Sequence, residues 1–344
     1  MTRLLCLALL LLGCESRPER EVWRFAIEET AGSVQDQYAQ RFAELIRERS
    51  GGEIEVVVYP YGALGTSDHI TEQLHNGTLE LAMSSPGHLG KLIPEVQAFL
   101  LHYVLSDDPA VNARALRDPA LRAFLDALYA EKGLSFLTAF GEGRMAWTTR
   151  EPIRRPEDFE GVRFRVMTSP LLLASYEAYG ASPTPLPYAE VYSGLQLRMI
   201  DGQVNPVFAI EEMSFYEVTE HLIFPGHAEF VTTLAANPEW LEGLPAARRE
   251  MVGDIVEQLQ GEIFEVQARL GEERLAAIRE RKPEMEIVTL DAEARAAFEA
   301  RAVPVRQRYL ELAGPRGERL LELLEAAVRR EESDASAPAD SIAE

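Results

Sequence analysis

Apolar positions along the chain switch repeatedly between a period of two and the period of a helix. "VWRFAIE" (22–28) reads as a strand. Val34, Tyr38, Phe42, Leu45 and Ile46 then recur at helical spacing until "SGG" (50–52) breaks the run. "EIEVVVYP" (53–60) is a second strand, closed by Pro60. A helix from about Ser67 to His75 follows and stops at "NG" (76–77), and "TLELAMS" (78–84) is the next strand. This alternation predicts an α/β fold with parallel strands. Farther along, the pattern predicts a helix over 109–131, strands over 134–140 and 144–148, and a loop with a short helical turn up to residue 161. A strand over 162–167 comes next, with helices near 169–178 and 188–198 flanking a short strand at 183–186. A strand over 200–206 runs into a helix. Residues 244–280 form a long charged helix, 285–290 a late strand and 291–330 more helix. The polar, small-residue segment 329–344 reads as a disordered tail. No internal repeat is visible.

Length and charge narrow the function. The 344 residues suit two domains, and 47% hydrophobic residues are enough for sizeable cores. Beyond the N-terminus no apolar run reaches the roughly 18 residues of a membrane span. A net charge of −22 argues against nucleic acid as a partner, because gripping phosphates takes a basic surface. It argues equally against adhesion to an anionic membrane face.

Residues 1–18 read as an export leader, with one Arg and an apolar run from Leu4 to Leu12. "LLGC" (11–14) loosely resembles a bacterial lipobox, which would make Cys14 a lipid-bearing first residue and tether a periplasmic domain to a membrane. The alternative is ordinary cleavage a few residues later. Cys6 and Cys14 are the only cysteines, so the mature domain has neither a disulfide nor thiol chemistry.

Catalytic constellations are weak. The six histidines have no metal-binding spacing, there is no GxSxG elbow, and "GEG" (141–143) lacks the third glycine of a dinucleotide loop. An enzyme, a cofactor or a metal has no positive signal. The arginines of "EGVRFRVMTS" (160–169) say more. Along that strand Val162, Phe164 and Val166 face one way, while Arg163, Arg165 and Met167 face the other. Ser169 can cap a helix with Pro170 in its first turn, and a helix N-terminus beside a guanidinium suits a carboxylate. Asn205 reads either as a plain N-cap before Pro206 or as an amide offered to a ligand at a strand's C-terminal end.

"EGVRFRVMTSP…YGASPTPLPYAEVYSGLQLRMIDGQVNP", "YPYGALGTSDHITEQLHNGTLEL" and "FYEVTEHL" resemble the DctP-type solute receptors of TRAP transporters over about residues 22–325. The resemblance implies a two-lobed periplasmic-binding-protein-like fold, with a cleft between the lobes and a long helix crossing both. It implies lobe I at 19–141 plus about 229–270, and lobe II at 142–228 plus about 271–328. It also implies a receptor that catalyses nothing and hands a small organic acid to TRAP permease subunits. The family's carboxylate-gripping Arg falls on Arg165, its cleft Asn on Asn205, its second cleft Arg on Arg144 and a cleft aromatic on Tyr188. Arg163 aligns with a position that is usually just basic, and reads as structural or solvated.

Within the family, "WRFAIEETAGSVQDQYAQ", "SSPGHLGKLIPE" and "VMTSPLLLASY" are most similar to receptors for ectoine-type compatible solutes. There Glu29 matches an acidic residue that holds a cationic ring, Phe208 matches a cleft aromatic, and His88 stands at an aromatic-wall position. Arg144 together with Arg165 would suit a dianion, so the expected cargo is a C4-dicarboxylate or related acid. Ectoine or hydroxyectoine is the alternative, and a ligand-sensing lipoprotein a second one. In the implied mechanism Arg165 and Asn205 on one lobe and Glu29 with Ser84–Ser85 on the other close over the ligand.

Overall fold

The computed structural model describes residues 20–336, so the expected leader and Cys14 lie outside the described residues. Ten strands are present among the described residues: β1 Glu21–Ala26, β2 Ile54–Tyr59, β3 Leu81–Ser84, β4 Ser135–Thr149, β5 Arg163–Val166, β6 Ser182–Pro185, β7 Gly202–Pro206, β8 His221–Phe224, β9 Glu229–Ala236 and β10 Glu286–Thr289. They run in the order β2-β1-β3-β9-β4-β7-β5-β6, with β8 and β10 branching from β4. The pairs β1–β2, β1–β3, β5–β6, β5–β7 and β8–β10 are parallel. β9 and β4 run antiparallel to their neighbours, so the parallel strands expected from the sequence sit within a mixed sheet.

The molecule has two lobes, and β4 belongs to both. As far as Arg144 it pairs with β9, and from Met145 it pairs with β7 and β8. The register shifts between Gly141 and Gly143, where a bulge bends the strand. Sequence reading places two strands here; the bulge lets one strand of 15 residues serve both sheets.

Helices form where the periodicity predicts, and proline decides their breaks. Ser33 Oγ caps Val34–Arg49 by accepting from Asp36 N at 3.1 Å, and the helix buries Val34, Tyr38, Phe42, Leu45 and Ile46. The single helix expected over 109–131 is two, Pro109–Ala115 and Pro119–Ala130, because Asp118-Pro119 starts a new N-terminus. Pro304 likewise divides 291–330 after Ala292–Ala302, and the run Val305–Ser336 is itself broken into two helical segments at Gly314-Pro315, where Gly314 takes a φ of 63°.

Residues 329–336, expected in a disordered tail, continue that last helix instead. Arg330 pairs with Asp118 at 2.5 Å, and Arg114 with Glu331 at 2.7 Å, which holds the extra turns down. The helix packs on Pro94–Leu100, Pro109–Ala115 and Pro170–Tyr179, and so contacts elements expected in both lobes.

The 36-residue helix Ala246–Arg281 is about 54 Å long at 1.5 Å per residue. It packs against Val34–Arg49, β4 and Val207–Glu212, crossing from one sheet to the other. Its buried positions Val252, Ile255, Val256, Leu259, Ile263 and Leu270 keep one face apolar. Near its C-terminus Arg274 and Arg281 both pair with the buried Glu211.

Candidate functional site

One cleft gathers residues in the last positions of parallel strands or just beyond their C-terminal ends, where α/β sheets collect ligands. β1 delivers Glu28 and Glu29, β2 delivers Tyr61, β3 delivers Ser85, β5 delivers Arg165 and Met167, and β7 delivers Asn205. Gln35, His88, Tyr188 and Phe230 also line the cleft.

Arg165 is 2% exposed, and its Nε donates to the Leu186 carbonyl at 2.9 Å. Its Nη1 is buried without a hydrogen-bond partner. No carboxylate lies within ion-pair distance among the described residues. Burial pulls the guanidinium down to about 10, while Tyr188 and Tyr61 act the other way. A buried, unpaired guanidinium is costly to keep and is relieved by an incoming anion. Beside it, Asn205 Nδ2 donates to Gln203 Oε1, which fixes the amide and leaves its second N–H for a ligand. Asn205 is not a helix cap: Pro206 takes that position before Val207–Glu212.

The opposite wall is acidic. Glu28 Oε2 accepts from Ser85 N at 2.7 Å, and Glu28 N donates to Gln35 Oε1 at 2.8 Å. Glu28 Oε1 and Glu29 Oε2 are buried and receive no hydrogen bond. Burial raises both carboxyls. His88 opposes the rise at Glu28, and facing Glu142 adds to it at Glu29. Glu142 itself is pushed up to about 7, chiefly by burial, and Glu212 to about 8 by burial and then by Glu29. Tyr188 is held well above its ordinary range by burial, then by Glu212 and Glu29. Its ring meets Tyr61 edge-on with centroids 5.7 Å apart, joining the two walls.

Five of the expected ligand residues therefore share the cleft: Arg165, Asn205, Tyr188, Glu29 and His88. Arg144 and Phe208 do not line it. They line a neighbouring cavity with Glu142, Phe224 and Phe264. Arg144 is exposed and acts on Glu229, its register partner across β4 and β9. Arg163 is tied to Asp201 by hydrogen bonds of 2.8 and 2.6 Å. Ser169 spends its oxygen on the Leu172 amide as a helix cap.

Sequence reasoning missed Glu28, Gln35, Tyr61, Met167 and Phe230 in the cleft. The rule that ligands gather at strand ends could have found Glu28 beside Glu29, and Tyr61 after Pro60. Phe230 lies on β9, whose residues are buried along most of its length and so lack the alternation that marks a strand.

The family model for bacterial extracellular solute-binding proteins, family 7 (DctP), matches residues 25–312. The chain is 39% identical to the ectoine/5-hydroxyectoine-binding periplasmic protein UehA of Ruegeria pomeroyi, over 92% of this chain and 93% of that one. Its fold matches the periplasmic ectoine-binding protein of the TeaABC TRAP transporter of Halomonas elongata with a TM-score of 0.87. That match has 39% identity and covers 90% of this chain and all (100%) of the other. It also matches a TRAP periplasmic solute-binding protein of Marinobacter aquaeolei in an apo open structure, with a TM-score of 0.84 and 43% identity over 88% and 99% of the two chains. No helix among the described residues is long and apolar enough to cross a membrane. The chain belongs to the DctP family of bacterial extracellular solute-binding proteins, the solute receptors of TRAP transporters.

Proposed function

We propose that this receptor carries a small zwitterion of the ectoine type, a cationic ring bearing one carboxylate, to a membrane permease. The observation that carries the reading is the charge division of the cleft. A buried, unpaired guanidinium at Arg165 stands on one wall, and two buried, unpaired carboxyls at Glu28 and Glu29 stand on the other. The ligand carboxylate docks on Arg165 and the Asn205 amide, and the ring on Glu29, with Tyr188 and Tyr61 against its flat faces. The C4-dicarboxylate expected first from the sequence would want a second cation. Arg144 lines the neighbouring cavity instead, and the wall facing Arg165 is acidic. The relatives at 38 and 39% identity are ectoine-binding proteins, which supports the same choice.

Contacts between the walls give the ligand something to close. Tyr61 meets Tyr188, and Gly87 approaches the Met167 side chain. A ligand bridging Arg165 and Glu29 shifts the population toward the closed form, which the permease recognises.

Thermal unfolding against a panel of ectoine, hydroxyectoine, C4-dicarboxylates and sugar acids tests the reading. A ligand at about 100 times its dissociation constant adds roughly 2.7 kcal/mol, a shift of several degrees. The expected result is a rise with the ectoines alone, lost in Glu29→Gln. A rise with dicarboxylates and none with ectoines overturns it.

A further inference from the structure

Glu29 does not stand alone on its wall. Its carboxyl lies within hydrogen-bonding reach of Glu142, which β4 carries between Gly141 and Gly143 at the bulge joining the two sheets. Glu29 is 7% and Glu142 1% exposed, and neither makes an ion pair among the described residues. Glu29 Oε2 and Glu142 Oε2 each receive no donor from the protein. Two carboxylates in contact and out of water resist ionising together, and one proton between them supplies the donor that both oxygens lack. Gln35 holds the arrangement. Its Nε2 donates to Glu142 Oε1 at 3.0 Å and to Thr232 Oγ1 at 3.3 Å, while its Oε1 accepts from Glu28 N.

We propose that Glu29 and Glu142 share one proton in the empty receptor and give it up when the ligand's cationic ring docks on Glu29. Glu142 is then a positioning residue that sets the charge of the ring-binding wall. The inference rests on the zwitterion reading and deepens it.

The balance is simple. The empty pair holds one proton and one negative charge. The ring brings one positive charge, the carboxyl O–H bond breaks, the proton passes to water, and the pair is left with two negative charges. No covalent bond to the ligand forms. Other charged groups face the pair from each neighbouring element. Glu28 comes from the end of β1, Glu212 from Val207–Glu212, and Tyr188 from the turn before Val191–Gln196. Arg165 acts on Tyr188, Arg274 on Glu212 and His88 on Glu28. Burial, and after it the facing Glu142, holds Glu29 well above the ordinary carboxylate range, so the empty pair keeps its shared proton at neutral pH until a cation displaces it.

The sign of the linkage identifies the ligand's chemistry. A cation near Glu29 expels a proton, whereas a second carboxylate there would draw one in.

Calorimetric titration of ectoine into the whole chain, in phosphate and in Tris at pH 7, reads the proton count from the difference in observed heats. The expected count is a release of roughly half to one proton per ligand, with affinity rising toward about tenfold per pH unit as pH increases from about 6 to 7. Glu142→Gln keeps the oxygen that accepts from Gln35 but has no carboxyl proton to share. It is expected to bind ectoine with a count near zero and a flat pH profile. Equal heats in the two buffers for the unaltered chain, or an unchanged count in Glu142→Gln, would overturn the proposal while leaving the ectoine reading intact. A chain that binds no ectoine overturns both.

Discussion

Arg165 and Glu29 face one cleft from opposite lobes, both buried and neither with an ion-pair partner. Folding leaves a buried guanidinium and a buried carboxyl without partners of opposite charge, so a ligand with complementary ends is stabilised by what the empty protein lacks.

Replacing Arg165 separates stability from binding. Arg165→Met removes a desolvated cation and keeps much of its volume. The unfolding midpoint of the empty receptor should stay level or rise. Carboxylate binding should fall by 2 kcal/mol or more, about thirtyfold or worse, because a buried charge-assisted pair is lost. Calorimetry and thermal unfolding on the same sample check both halves. A destabilised variant that still binds would show that Arg165 serves the fold.

Stability should depend on pH with a sign set by buried carboxyls. Glu142, Glu212 and Glu229 are raised to about 7, 8 and 7, each chiefly by burial, against an ordinary value of 4.5. The native state holds protons that the unfolded chain has lost, so their contribution is full below 4.5 and fades as pH rises through 7 to 8. Burial works oppositely on the neutral histidines. His102 is lowered to about 3 and His227 well below its ordinary value, so their contribution is present above 6.5 and fades as pH falls. Between pH 6.5 and 8.5 the carboxyls dominate. The midpoint of the empty receptor should decline across that window, and Glu212→Gln should make the decline shallower. A rising midpoint contradicts the assignment.

Gly87 marks a close approach between the walls. A Cβ there would lie 2.6 Å from Met167 Cε. Gly87→Ala displaces only a flexible side-chain tip and should bind nearly normally. Gly87→Leu should hold the walls apart and weaken ligand binding about tenfold or more, near 1.4 kcal/mol, with the unfolding midpoint unchanged. Paired affinity and melting measurements check this, and small-angle scattering should show a smaller ligand-induced compaction in the leucine variant.

The helix Ala246–Arg281 carries Gly261 at an exposed position with nothing within 4 Å of a Cβ. Gly261→Ala should therefore stabilise by about 0.5–1 kcal/mol through helix propensity alone. Chemical denaturation checks it, with ligand affinity unchanged.

Much of this was legible in the sequence, for physical reasons. The stripe from Val34 to Ile46 is local, so its helix is found at the predicted place. Arg165 stands out because a cation beside Phe164 and Val166 on a short buried strand needs an explanation. The misses are non-local. β9 is buried on both faces and shows no period. The two strands read around "GEG" are one because a bulge, not a turn, occupies the glycines. Arg144 matched a family position by alignment, yet the bulge at Gly143 leaves it exposed beside the neighbouring cavity. The proximity of Glu29 and Glu142, more than a hundred residues apart, has no sequence signal at all.

A structure of the receptor with ectoine bound reads the division of charge in the cleft outright. The ligand carboxylate should sit on Arg165 at charge-assisted hydrogen-bond distances of about 2.7–2.9 Å, with a ring nitrogen donating to Glu29. A ligand carboxylate on Arg144, or a ring turned away from Glu28 and Glu29, would contradict it.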